Sequence, residues 1–286
     1  MKTIHTIKIE LNKTILNMGF LLAVLITTAL QFTNQVYIDG QTGKTYSALQ
    51  LLLDLQPHII KEDPGLSSIM IFSSGLAGYF IMFIPIIAAF PFIPNFCAER
   101  NSGLIRFAIQ RTGKVRYYAV KFIASLLGGG FAVSLGFALF GILAYVLFPS
   151  INHYGLSQKD ISSMIPGGIG MRVMLILLGA FIYGAVSTIP AFFMASFVKN
   201  RYIITCVPFV LVYLYSTSLT KFIFDATACH NEKLITLLNT LKPEQVTTLF
   251  FKDSISRNSL YIDIGFIIVM FILFVLIMNK RRDLGE

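Results

Sequence analysis

The stretch DGQTGKTYS, residues 39–47, contains Gly43-Lys44-Thr45, the residue types that end a phosphate-binding loop. Such a loop wraps its amides around phosphates between a buried strand and a helix, and needs another glycine five positions before the second one. That position is Ile38, and the preceding run LNMGFLLAVLITTALQF is about as long as a membrane span. These residues are therefore read as a Gly-rich turn leaving a membrane helix. Ser73-Ser74-Gly75 offers a nucleophile, but His5, His58, His153 and His230 all lie outside the apolar runs, so a base is missing. Small residues packing helices together is the expected role there. Cys229-His230 with Asp225 and Glu232 brings metal-ligand types into one connection, yet a single Cys-His pair lacks the spacing of a ligand set. Cys97, Cys206 and Cys229 are scattered, so neither a metal site nor an intramolecular disulfide is expected, and no catalytic residue is assigned.

The elements that would position these residues are membrane helices. Hydrophobic residues make up 55% of the 286 and charged ones only 13%, with a mean hydropathy of +0.73, too little polar surface to enclose a water-soluble core. The net charge of +9 does not indicate nucleic acid, because the basic residues sit in short segments between apolar runs rather than on one face of a soluble fold. Runs long enough to cross about 30 Å of hydrocarbon lie near 15–36, 67–92, 122–148, 173–197, 202–220 and 259–279. The fold class expected is an all-α integral membrane protein: one transmembrane domain over 1–286, with six transmembrane helices, an N-terminal interfacial helix over 1–14 and helical outer segments. The first apolar run is too long for a signal core and lacks a small-x-small cleavage site, so it is expected to remain as a span.

Lys and Arg set the orientation. With both termini and the even-numbered connections in the cytoplasm, Lys2, Lys8, Lys13, Arg100, Arg106, Arg111, Lys114, Arg116, Lys121, Lys199, Arg201, Lys280, Arg281 and Arg282 all fall inside, while most acids fall outside. The expected location is the cell membrane, multi-pass. MKTIHTIKIELNKTIL places Ile4, Ile7, Leu11 and Ile15 at helical spacing, which fits a helix on the inner membrane surface or simply a charged end that fixes orientation. Outer segments follow at 37–66, 149–170 and 221–258. The first contains YSALQLLLDLQPHII, a helix ended by Pro57, and the third contains NEKLITLLNTL, a helix stopped at Pro243. Lys121, Arg172 and Asp263 are placed at span ends, within reach of water. Gly128-Gly129-Gly130 is read as a close helix approach rather than a break. The hydroxyls of YLYSTSLT, 213–220, fit either a polar pathway or the outer interface.

Between the second and third spans runs FCAERNSGLIRFAIQRTGKVRYYAVKF, residues 96–122, within a cytoplasmic segment 95–121. Asn101 or Ser102 can cap a helix there whose apolar face is Leu104, Phe107 and Ala108, with Arg111 near its end and Gly113 as a stop. With Glu99 and Gly103 forming a Glu-x-x-x-Gly element and Arg111, Arg116 and Lys121 a following basic stretch, the chain resembles the permease subunits of type-2 ATP-binding-cassette (ABC) exporters. The resemblance also covers the six-span plan, the interfacial helix and the long outer connection before the last span. The large outer segment after the first span departs from it. The resemblance implies a permease that binds no cofactor itself. Its ATP would be bound and hydrolysed on separate ABC ATPase subunits docked on 99–113, through Glu99, Gly103, Leu104, Phe107, Ala108 and Arg111. A second copy or a related permease would complete the pathway, and a peptide or amphiphilic compound would be exported. The competing expectation from another class is a channel or scaffold that uses no nucleotide.

Overall fold

A computed structural model describes residues 2–38, 43–54, 62–75, 78–195, 197–198, 200–251 and 253–280. Helix α1 (Lys2–Ile15) meets α2 (Met18–Thr33) at a bend of 57°. Asn17 sits in the bend: its side chain caps α2 by accepting from Gly19 N at 3.3 Å and donates to Pro91 O at 3.3 Å. Strands β1 (Gln35–Ile38) and β2 (Thr45–Ser47) form an antiparallel pair with Tyr37 opposite Tyr46. Lys44 thus leads into a strand and not into the helix start that would hold a phosphate. The hairpin was not expected from the sequence, and residues 39–42 at its tip lie outside the described residues.

Helix α3 (Ala48–Asp54) realises most of the helix expected before Pro57; its last residues, 55–56, fall outside the described residues. The run 67–92, read above as one span, is instead broken into α4 (Ser68–Ser74), α5 (Phe80–Ala89) and, continuing past residue 92, α6 (Ile93–Asn101). Gly78 has φ of 90°, while Pro91 and Pro94 lack the N–H that an uninterrupted helix needs. An apolar run reports lipid or core but carries no record of a kink. Helix α7 (Leu104–Thr112) follows, then α8 (Lys114–Leu147), which starts eight residues earlier than the third run suggested. At 1.5 Å per residue its 34 residues extend about 51 Å, well beyond the hydrocarbon core.

The remaining α-helices are α9 (Gln158–Met164), α10 (Gly168–Ala195), α11 (Arg201–Ala228), α12 (Glu232–Thr240) and α13 (Ser254–Lys280), with 3-10 segments at Pro64–Leu66, Ile151–Tyr154 and Pro243–Phe251. The helix expected before Pro243 is α12. Among the described residues five helical stretches are long and apolar enough to cross a membrane, or six if the bent α1–α2 pair is taken as one span. Helix α2 alone, with 16 residues, covers only about 24 Å.

Helices α8 and α10 lie at the centre because glycines let them touch. A Cβ on Gly129 would stand 2.9 Å from Ala88 O of α5 and 3.2 Å from Gly184 O of α10, and a Cβ on Gly184 would stand 2.9 Å from Gly129 O. Helix α8 runs unbroken through Gly128–Gly130, so the close approach is the role of these residues. Two turns further along α8, Thr28 Oγ1 of α2 donates to Gly136 O at 3.1 Å. Two apolar clusters fill the bundle. One joins Phe72, Phe80, Phe137 and Phe140 in the half nearer the hairpin; the other joins Phe92, Phe96, Phe122, Phe192 and Phe274 in the half nearer α1. The end bearing α1 is called proximal below and the hairpin end distal.

Candidate functional site

At the proximal end the chain turns twice on glycine. Helix α6 ends at Ser102, whose Oγ donates to Glu99 O at 3.1 Å, and Gly103 adopts φ of 73° to begin α7. Neither Asn101 nor Ser102 caps α7, contrary to the sequence expectation; the left-handed glycine occupies that position instead. Gly113, at φ of 83°, ends α7 and starts α8. The Glu-x-x-x-Gly element therefore has a local meaning. Glu99 lies in the last turn of α6, and Gly103 supplies the backbone conformation that lets the chain leave it.

Glu99 belongs to a four-charge cluster. Its Oε2 and Glu10 Oε2 each lie 2.5 Å from Lys121 Nζ, and Lys13 Nζ lies 3.3 Å from Glu99 Oε1 and 3.5 Å from Glu10 Oε1. Tyr117 Oη donates to Glu99 Oε2 at 3.4 Å. The cluster is formally neutral and ties together α1, α6 and α8. The Lys121 side chain is only 3% exposed and its ammonium rests 5.5 Å from the Tyr117 ring centroid and 5.9 Å from that of Phe92. Lys121 is thus buried and doubly paired, where the sequence suggested a side chain reaching out to water. Burial works against the charge on Lys13, but Glu10 and Glu99 outweigh it and raise its pKa above the ordinary 10.5. A cleft of about 540 Å³ opens beside these residues, bordered by Asn95, Ser102 and Leu104.

Arg100, the neighbour of Glu99, points the other way. Its Nη1 donates to Ala195 O at 2.6 Å and Val198 O at 2.9 Å, occupying carbonyls at the end of α10. The α6–α7 turn is consequently fastened to α1 and α8 by ions and to α10 by a guanidinium.

Helix α7 presents two sides. Ile105 is buried, with Ala108 and Ile109 packed against the aromatic cluster, whereas Leu104 is 57% exposed and Phe107 67% exposed. Arg111 is exposed on the same stripe as Leu104 and Phe107. The structure thus keeps Leu104, Phe107 and Arg111 together on one outward face, moves Ala108 to the inner side, and puts Glu99 and Gly103 beneath the helix as its support.

Glu10 is the residue that sequence reasoning missed. It is the sole acid before Asp39, set in an otherwise basic helix, and that isolation was the available signal. The face of α1 that packs on the bundle carries Glu10 and Thr14, both buried, while Ile15, on the apolar face expected to lie on the membrane surface, is 38% exposed. Among the described residues no group of three His, Cys, Asp or Glu side chains is gathered as a metal site, and Cys229 and His230 stay in an exposed turn. Ser73 Oγ donates to Ile69 O at 2.7 Å and accepts from Arg172 Nε at 2.8 Å. No family model matches the chain, and no curated protein matches it.

Proposed function

We propose that the chain is the membrane-spanning permease subunit of an ABC exporter, with ATP bound and hydrolysed on separate ATPase subunits that dock on α7. The observation that carries this reading is the outward stripe of Leu104, Phe107 and Arg111 on a helix braced from below by the Lys121 cluster and by Arg100. A large aromatic ring held two-thirds exposed on a rigid support is a docking anchor, because little entropy is lost when a partner groove covers it. A flexible loop with the same residues would order at a cost and transmit less force. In this reading a displacement of α7 acts through the α6–α7 turn on α6, which the ion pairs and Arg100 tie to α1, α8 and α10.

In this reading both termini and α7 face the cytoplasm of a cell membrane, as the Lys and Arg distribution favours. A second copy or a related permease stands beside α11 and α13, the two helices least buried within the single chain. The exported compound is a peptide or amphiphile, and the chain itself holds no cofactor. The test is association with the ATPase. Phe107→Ala should weaken it by about 1–3 kcal/mol, the range for a central aromatic contact, as measured by co-purification across ATPase concentrations. Unchanged association in both Phe107→Ala and Leu104→Ala would refute docking on this stripe.

A further inference from the structure

The distal end holds a second polar arrangement, unrelated to α7. A cavity of about 350 Å³ opens where α2 ends, α4 ends and α10 begins, closed on one side by the 3-10 segment Pro243–Phe251. Two opposite charges line it, Arg172 from the first turn of α10 and Glu244 from the 3-10 segment. Arg172 is 7% exposed. Its Nε donates to Ser73 Oγ at 2.8 Å, its Nη1 donates to Met164 O at 2.9 Å, and its guanidinium carbon lies 4.7 Å from the Phe250 ring centroid. Glu244 Oε2 accepts from Ser216 Oγ at 3.4 Å. Among the described residues neither charge has an ion-pair partner, and they do not pair with each other across the cavity they share. Asp263, whose buried Oδ2 has no hydrogen-bond partner, lies within electrostatic reach of Glu244.

Among the described residues this buried guanidinium is held by a hydroxyl, a carbonyl and a ring, which leaves its strongest interaction, with an oxyanion, unmade. A carboxylate across the same cavity repels that oxyanion unless the ligand brings a cation of its own. We infer that this cavity binds a small zwitterionic group, with its phosphate or carboxylate on Arg172 and its primary ammonium on Glu244. The volume admits a headgroup or a single short zwitterion. Phe251, 63% exposed at the cavity wall, offers an apolar surface beside it, as an amphiphile with such a head requires. Two sources share this chemistry: the headgroup of an aminophospholipid and a free zwitterion. The inference does not depend on the permease assignment, since no ATPase enters it.

The chain has no tryptophan, so Phe251→Trp gives a single tryptophan at the cavity wall, excited selectively over the twelve tyrosines. The full chain carrying it is titrated in detergent with O-phosphoethanolamine, inorganic phosphate and ethanolamine, and is reconstituted in phosphatidylglycerol vesicles with and without phosphatidylethanolamine. A saturable change with O-phosphoethanolamine, with phosphate and ethanolamine each at least about tenfold weaker, is expected when both charges are used. A change only in vesicles containing phosphatidylethanolamine assigns the site to lipid. Arg172→Gln should weaken the response by about tenfold or more, Arg172→Lys should keep only part of it because an ammonium cannot reproduce the guanidinium's fork and ring contact, and Glu244→Gln should erase the preference for O-phosphoethanolamine over phosphate. No saturable response in any arm, an equal response to phosphate alone, or binding by Glu244→Gln with its preference intact would overturn the inference.

Discussion

Replacing Lys121 by methionine removes the hub of the proximal cluster while nearly keeping its volume. Glu10 and Glu99, with side chains 11% and 21% exposed, would then face each other with only Lys13, itself 54% exposed, to balance them. Removing one partner of a buried ion pair costs about 3–5 kcal/mol, because a charge stays buried without compensation. The open cleft beside the cluster lets water reach the carboxylates, so the lower end, about 3 kcal/mol, is expected for Lys121→Met. Glu99→Gln is milder. Lys121 keeps Glu10 and gains a neutral acceptor, and the exchange of a charged for a neutral hydrogen bond costs about 1–1.5 kcal/mol. The triple variant Glu10→Gln, Lys121→Met, Glu99→Gln carries no buried charge, and replacing a whole buried ion cluster is often close to neutral, so it should recover most of the loss of Lys121→Met. Detergent-solubilised protein heated in steps and assayed for monodisperse material by size exclusion would rank the variants. The expected order is Lys121→Met lowest, Glu99→Gln intermediate and the triple variant close to wild type. A triple variant as unstable as Lys121→Met would refute the reasoning, since the penalty would then not come from unpaired charge.

The contribution of Lys13 has a definite pH window. Its folded pKa is raised, so its stabilisation is complete below about 10.5 and is lost only as pH rises through the folded value; Lys13→Met should flatten alkaline denaturation and change stability near neutrality by less than about 1 kcal/mol, as for other exposed pairs, in melts across pH. Gly129→Ala should destabilise by about 1–3 kcal/mol through overpacking of α5, α8 and α10, while Gly265→Ala, with nothing within 4 Å, should be neutral or stabilising; equal effects in the same thermal assay would contradict the close approach. Cys229 is exposed and Cys97 buried, so an impermeant thiol reagent on intact cells should label Cys229 if the distal end is outside, and labelling only after permeabilisation would invert the orientation. Cys97 should stay unlabelled in either orientation.

Spans, the helix at 232–240 and the stop at Gly113 were legible because each rests on a local cause: an apolar run long enough for a bilayer, a helix ended at Pro243, or a glycine with positive φ. The break of the second apolar run was partly legible in Pro91 and Pro94 but not in its extent, since α4 and α5 both lack charged residues and only the fold decides where the chain turns. The cluster at the proximal end was legible only in the isolation of Glu10, not in its partners. Glu10 and Lys121 are 111 residues apart and Glu99 lies 22 from Lys121, so no periodicity joins them. Taken singly, a carboxylate on a basic helix and a lysine before a hydrophobic run each suggest solvent contact, and only the packing of α1 across α8, where Gly128 leaves room for Thr14, brings them into one buried pair. The same holds for Arg172. Position near a span end allows a long side chain to reach water, but the 3-10 segment from Pro243 onward covers it, and that segment is contributed from far along the sequence. Charge at a span end is therefore ambiguous until the connections are placed, and both polar centres of this molecule are made where a connection folds back over a helix terminus.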